Sequence, residues 1–135
     1  MKNLIFLFSF GVVLLACKKN SDDCDPNMIC YTEKPDSLYI ELRLSPNPSG
    51  DPIEVRFFIG NVNDGELYHT FFTNSDREYF HMPVGQKYAA EARYKENGNT
   101  IVAVDGDRLE AEYKMNCDLK CYEWNEDLVL DLELK

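Results

Sequence analysis

From residue 38 to the end of the chain, apolar and polar side chains alternate with a period of two. Leu38, Ile40, Leu42 and Leu44 alternate with Tyr39, Glu41 and Arg43. The period recurs at Ile53, Val55, Phe57 and Ile59, and at Tyr88, Ala90, Ala92 and Tyr94. It returns at Leu109, Ala111, Tyr113 and Met115, and at Leu128, Leu130, Leu132 and Leu134. Such alternation turns one face of a strand to a core and the other to solvent. Leu67 to Thr73 and Arg77 to Met82 read as a hairpin about Asn74-Ser75-Asp76, and Thr100 to Val104 as a further strand. Turn formers separate the runs: the proline-rich Ser45 to Pro52, Asn63-Asp64-Gly65, Pro83-Val84-Gly85, Asn97-Gly98 and Asp105-Gly106-Asp107. No segment from residue 38 onward keeps a helical period. Short strands at turn spacings of roughly 8–12 residues predict an all-β fold. The expected architecture is an antiparallel sandwich of about seven or eight strands over residues 38–135.

The N-terminus follows a different pattern. Lys2 precedes an apolar run from Leu4 to Leu15, which ends in Ala16 and Cys17. The run is shorter than the roughly 20 residues that span a bilayer, so residues 1–16 read as a secretory signal. Leu14-Leu15-Ala16-Cys17 resembles the lipobox of bacterial lipoproteins. That resemblance implies cleavage before Cys17, acylation of Cys17 by palmitate-type chains, and an outer-membrane anchor. Residues 17–37 then form a polar tether, since Lys18 to Asp23 has nothing to bury. Ser21-Asp22-Asp23 resembles the export signal of Bacteroidetes-type lipoproteins, which implies display on the cell surface.

Charge and cysteines narrow the partners. The 119 residues left after cleavage carry 13 Lys and Arg against 24 Asp and Glu, a formal charge of −11. Nucleic-acid affinity comes mainly from Lys and Arg on phosphates, so a nucleic-acid partner is excluded. Anionic lipid also repels such a chain, which leaves acyl chains to hold it at the membrane. Of the 5 cysteines, Cys17 goes to the lipid. Cys24, Cys30, Cys117 and Cys121 remain, an even number in an exported domain, and so read as disulfides. Three pairings are open. The simplest has two local bridges, Cys24–Cys30 and Cys117–Cys121; the other two tie the N-terminal segment to the segment before the last strand.

The stretch Tyr79-Phe80-His81-Met82-Pro83-Val84-Gly85-Gln86-Lys87-Tyr88 has aromatics, then an apolar-Pro-x-Gly turn, then a tyrosine opening a strand. It resembles prealbumin-like (transthyretin-like) and carboxypeptidase-regulatory-like sandwiches. The Cys24 to Thr32 stretch and the Cys121-Tyr122 pair resemble those of small Bacteroidetes-type lipoproteins. Sandwiches of this kind imply no particular chemistry.

Candidate sites are few. His69 and His81, the only histidines, are equidistant from Ser75 and would face each other across the expected hairpin at about 4.5–5.5 Å between Cβ atoms. Two ligands fall short of the four of a structural zinc site. Ser75 at a hairpin tip lacks an oriented base and an oxyanion hole. Asn61, Asn63 and Asp64, and separately Asp105 and Asp107, offer hard oxygens on turns, but neither group completes a calcium loop. Tyr39, Phe58, Tyr68 and Phe72 are expected to face outward as a ligand platform. Together these features predict a lipid-anchored, non-catalytic binding or accessory module with no cofactor and no metal. Its partner is an unidentified protein or glycan. The alternatives are a glycan-binding module using the outward aromatics, or a metal-dependent enzyme at His69 and His81.

Overall fold

The computed structural model describes residues 24–124 and 128–135. The expected signal, Cys17 and Ser21-Asp22-Asp23 lie outside the described residues. The alternating runs form strands, and the described residues hold nine: β1 (Ser37–Leu44), β2 (Ile53–Ile59), β3 (Glu66–Thr73), β4 (Arg77–Pro83), β5 (Gln86–Glu96), β6 (Asn99–Leu109), β7 (Tyr113–Asn116), β8 (Leu119–Tyr122) and β9 (Leu128–Leu132). They build a three-stranded sheet in the order β4-β1-β9, a four-stranded sheet in the order β3-β2-β5-β6, and a separate β7-β8 hairpin. Neighbours are antiparallel except β1 and β9, which run parallel.

The two larger sheets enclose the core as the alternation predicts. Leu38, Ile40, Leu42 and Leu44 of β1 lie in one cluster with Ile53, Val55 and Phe57 of β2, Tyr88, Ala90, Ala92 and Tyr94 of β5, and Leu130 and Leu132 of β9. Phe57 stacks on Phe80 at 4.6 Å and on Tyr88 at 5.8 Å between ring centroids, joining β2, β4 and β5. Two buried tyrosines bring polar atoms inward, and both are bonded. The Tyr94 hydroxyl donates to the Leu132 carbonyl (2.7 Å) and accepts from the Ser45 amide (3.1 Å). The Tyr88 hydroxyl donates to the Pro83 carbonyl (2.7 Å) and accepts from the Gln86 side chain (2.7 Å). Each ties a loop or a facing strand to β5.

Three local expectations are corrected. First, β3 and β4 do not pair. β3 lies beside β2, whereas β4 lies beside β1, so residues 74–76 cross from one sheet to the other. The crossing is pinned by the Leu44 amide on the Asp76 carbonyl (2.9 Å), the Ser75 amide on the Thr73 hydroxyl (3.0 Å), and the Thr73 hydroxyl on Glu78. Secondly, Asp105-Gly106-Asp107 is not a turn but the middle of β6, opposite Ala90, Ala89 and Tyr88. Gly106 serves close approach: a Cβ there would lie 2.8 Å from the Ala89 Cβ and 3.0 Å from the Tyr88 carbonyl oxygen. Thirdly, the cysteines pair at long range, Cys24 with Cys117 and Cys30 with Cys121, across sequence separations of 93 and 91 residues. The local pairing is therefore wrong. Residues from Cys24 onward are fastened to the domain, so a free tether cannot reach to residue 37.

Tyr94 supplies a test of the core. Replacement by Phe leaves the Leu132 carbonyl and the Ser45 amide without this partner, and Tyr94→Phe is expected to lose about 1–3 kcal/mol in urea denaturation. Burial pushes the Tyr94 and Tyr88 phenols up. The unfolded tyrosines, with pKa values of about 10, then ionise first. Stability should be intact below pH ~10 and fall as pH rises beyond it, with a shallower fall in Tyr94→Phe.

A candidate binding surface around Trp124

The four residues expected to share an outward platform are dispersed. Tyr39 does face outward, on β1 of the three-stranded sheet, and is half exposed. Phe58 has the outward parity of Glu54 and Arg56 on β2 and lies opposite Ala89, yet it is buried. The bend from Gly60 to Gly65 follows it directly; the Gly60 amide donates to the Lys87 carbonyl (2.8 Å) and the Gly65 amide to the Asn61 carbonyl (2.8 Å). Tyr68 and Phe72 have matching parity in the sequence, but the β2–β3 register slips between Phe57 and Phe58 and leaves Tyr68 as an extra residue. Such a bulge turns the following side chains to the other face. Tyr68 accordingly packs edge-on against the core ring of Phe57 (6.1 Å), while Phe72 lies opposite Glu54 on the outer face. Tyr39 is on a different sheet from the other three, so no single patch unites them.

The histidines are separated by the same crossing. His69 lies opposite Phe57 of β2 and stacks on Phe71 (5.6 Å). His81 lies opposite Tyr39 of β1, with ring centroids 4.7 Å apart, and its Nε2 is 3.2 Å from the Ser37 hydroxyl. They do not face each other and do not form a shared metal site. Four of the five calcium candidates, Asn61, Asn63, Asp64 and Asp105, line one cleft of about 530 Å³, and Asp107 is not among its walls. Lys87 lines it too. The Asp105 carboxylate is engaged elsewhere, accepting from the Gly106 amide (2.8 Å) and the Asp131 amide of β9 (2.7 Å). Asp64 accepts from the Asn61 side chain (2.9 Å). Among the described residues, no three His, Cys, Asp or Glu side chains are grouped to hold a metal ion.

The structure instead gathers aromatic side chains at one end of the sandwich. Here β7 and β8 form a hairpin whose tip holds Cys117 at a φ of +58°. The Cys24–Cys117 and Cys30–Cys121 bridges clamp the segment from Cys24 to Tyr31 onto it. Asn116 completes the clamp: its side chain accepts from the Asp25 amide (2.9 Å) and donates to the Asp25 carbonyl (3.0 Å). Tyr31 then bridges to Tyr122, whose amide donates to the Tyr31 carbonyl (2.8 Å). This disulfide-braced unit is the cap of the domain.

Pairing within the cap aligns its rings. Tyr113 and Tyr122 are opposed in the hairpin and 5.8 Å apart. Tyr31 lies beside Tyr122, and its ring is 5.8 Å from Trp124. The row Tyr113-Tyr122-Tyr31-Trp124 follows, with the Lys120 ammonium 4.6 Å above Tyr113. Trp124 stands between two clefts. One, of about 620 Å³, is bounded by Met28, Ile29, Tyr31, Cys121, Tyr122 and Glu123. The other, of about 300 Å³, is bounded by Asp36, Ser37, Leu38, Tyr39 and His81 at the start of β1 and the end of β4. Beyond it, the outer face of the same sheet carries exposed Tyr79 opposite Glu41. Glu41 is held by Arg43 (2.9 Å) and Arg77 (3.4 Å).

Of the expected ligand face only Tyr39 belongs to this surface. Tyr31, Tyr79, Tyr122 and Trp124 were not among the residues expected on a ligand face, although aromatics directly follow two of the cysteines, at Cys30-Tyr31 and Cys121-Tyr122. No protein-family model, no curated protein and no solved structure matches the chain.

Trp124 is the sole tryptophan and rests on Tyr31, one residue after bridged Cys30. Reduction should therefore shift Trp124 emission toward that of a solvated indole at reductant levels that leave the far-ultraviolet β signal in place. Simultaneous loss of both signals would mean that the cap does not move independently of the sandwich.

Proposed function

We propose that the protein is a lipid-anchored module of the outer membrane, displayed at the cell surface, that binds a partner without catalysis. In this reading Cys17 carries the acyl chains and the transthyretin-like sandwich presents the cleft between Trp124 and Tyr39 as its ligand face. The observation that carries the reading is the meeting of aromatic and hydrogen-bonding side chains there. Tyr39 and His81 pack ring against ring at a tilt of 48°, Trp124 closes one end, and Ser37 and Asp36 stand at the rim. Rings offer apolar faces at little conformational entropy, and a few polar groups around them fix the orientation of a ligand.

A glycan is the ligand class that these side chains favour. The apolar faces of a sugar ring suit Tyr39 and Trp124, and its hydroxyls suit Ser37, Asp36 and His81. The −11 formal charge of residues 17–135 disfavours an anionic ligand.

Two measurements test the reading. Radiolabelled palmitate should label the wild-type protein and not Cys17→Ala; persistent labelling would exclude Cys17 as the anchor. On a glycan array, Tyr39→Ala should weaken binding by about tenfold, the equivalent of one aromatic contact of roughly 1.4 kcal/mol. An empty array, or binding unaltered in Tyr39→Ala, would exclude this face as a glycan site.

A further inference from the structure

We infer that the cap lies against the bilayer, with Ile29, Tyr113, Met115 and Leu119 reaching the boundary between headgroups and acyl chains. This inference rests on the acylation of Cys17 proposed above, and it adds a second, protein-borne membrane contact.

Chain length makes the first argument. Cys24 follows Cys17 by seven positions, and seven fully extended residues span at most about 25 Å. Cys24 is bonded to Cys117 at the hairpin tip, so that tip is held within nearly the same radius of the lipid. A domain of about 100 residues has a radius of gyration near 13 Å. A leash this short therefore keeps the cap at the membrane side, and the opposite end, with Phe72, Asn97 and Gly98, projects away.

Surface chemistry makes the second. Ile29 is 76% exposed, Leu119 55%, Met115 53% and Tyr113 48%, all on the cap. Single exposed apolar residues are ordinary, but these share one small disulfide-braced unit. The bridges hold them in place, so they cannot fold inward to hide. Trp124 and Tyr31 border the cap where it meets the sandwich, and Trp and Tyr rings favour the headgroup level of a bilayer. The Lys120 ammonium lies over the Tyr113 ring, 4.6 Å from its centroid, a cation–π contact that holds this ring at the cap surface. With a formal charge of −11 over residues 17–135, contact with a bilayer must come from apolar groups rather than from charge. With Trp124 at the headgroup level, the Tyr39 cleft opens beside the membrane.

The test uses the acylated full-length mature protein in vesicles of phosphatidylcholine with brominated acyl chains, which quench nearby indoles. In the unaltered protein Trp124 is the only indole; its emission should shift to the blue on reconstitution and fall by at least half with brominated lipid. For comparison, Phe72→Trp in a Trp124→Phe background places the reporter at the far end of β3. Met115→Trp in that background places it on the cap. The cap reporter should be quenched at least threefold more strongly than the one at position 72. Equal quenching at the two positions in palmitate-labelled protein would overturn the inference and leave the anchor intact. Absence of the label would overturn the anchor, and this inference with it. Weak quenching together with sedimentation as a dimer would instead assign the cap to a second copy of the chain.

Discussion

Two sulfur–sulfur bonds govern this structure, because each joins segments more than ninety positions apart. In the chain-entropy account, closing a loop of about 100 residues removes roughly 4–5 kcal/mol of freedom from the unfolded chain, against a total stability of about 5–15 kcal/mol for a typical domain. The bridges matter for position as much as for stability. The β7-β8 hairpin belongs to neither larger sheet, and an isolated two-stranded hairpin is marginal in water. The Cys24 to Tyr31 segment has no regular structure beyond one bridge to Tyr122. Each needs the other, and the bridges supply the association that hydrophobic burial does not.

Most strands were legible in the sequence, because alternation reports burial directly. The inward residues of β1, β2, β5 and β9 follow the period without exception. Strand partners were not legible, and β3 with β4 shows why. A strand of a given parity buries the same side chains whichever neighbour it pairs with, so Leu67 to Thr73 and Arg77 to Met82 read equally well as a hairpin or as a crossover. The spacing of His69 and His81 about Ser75 was accidental. Glycine misled in a related way at Gly106. A Gly between two aspartates has the composition of a turn, but close packing on Ala89 demands the same residue within a strand.

The candidate site was less legible than the core, for two physical reasons. Exposure on a strand follows parity only while the register is regular, and one bulge beside Tyr68 was enough to separate Tyr68 from Phe72. Covering depends on loops that carry no period: parity sends Phe58 outward, yet it is buried. The aromatics that do gather, Tyr31, Tyr122 and Trp124, lie in stretches without alternation. They meet only because the cysteines next to them pair at long range. Local pairing would have left Tyr31 in a tether and Tyr122 in a loop, with no reason for contact.

That dependence links the sulfur chemistry to the surface. The Cys30–Cys121 bridge sits one residue before both Tyr31 and Tyr122, so a single covalent link fixes the spacing of the two rings and, through Tyr31, supports Trp124. Trp124 in turn closes the cleft that Tyr39 and His81 open on the neighbouring sheet. An exposed ring in a flexible segment would have to lose its rotamer and backbone freedom on meeting a ligand, at about 1–2 kcal/mol for each residue ordered. Here that ordering is completed during folding. For the binding role proposed above, rings set beforehand spare that cost, and covalent bonds between segments far apart in sequence set Tyr31 and, through it, Trp124.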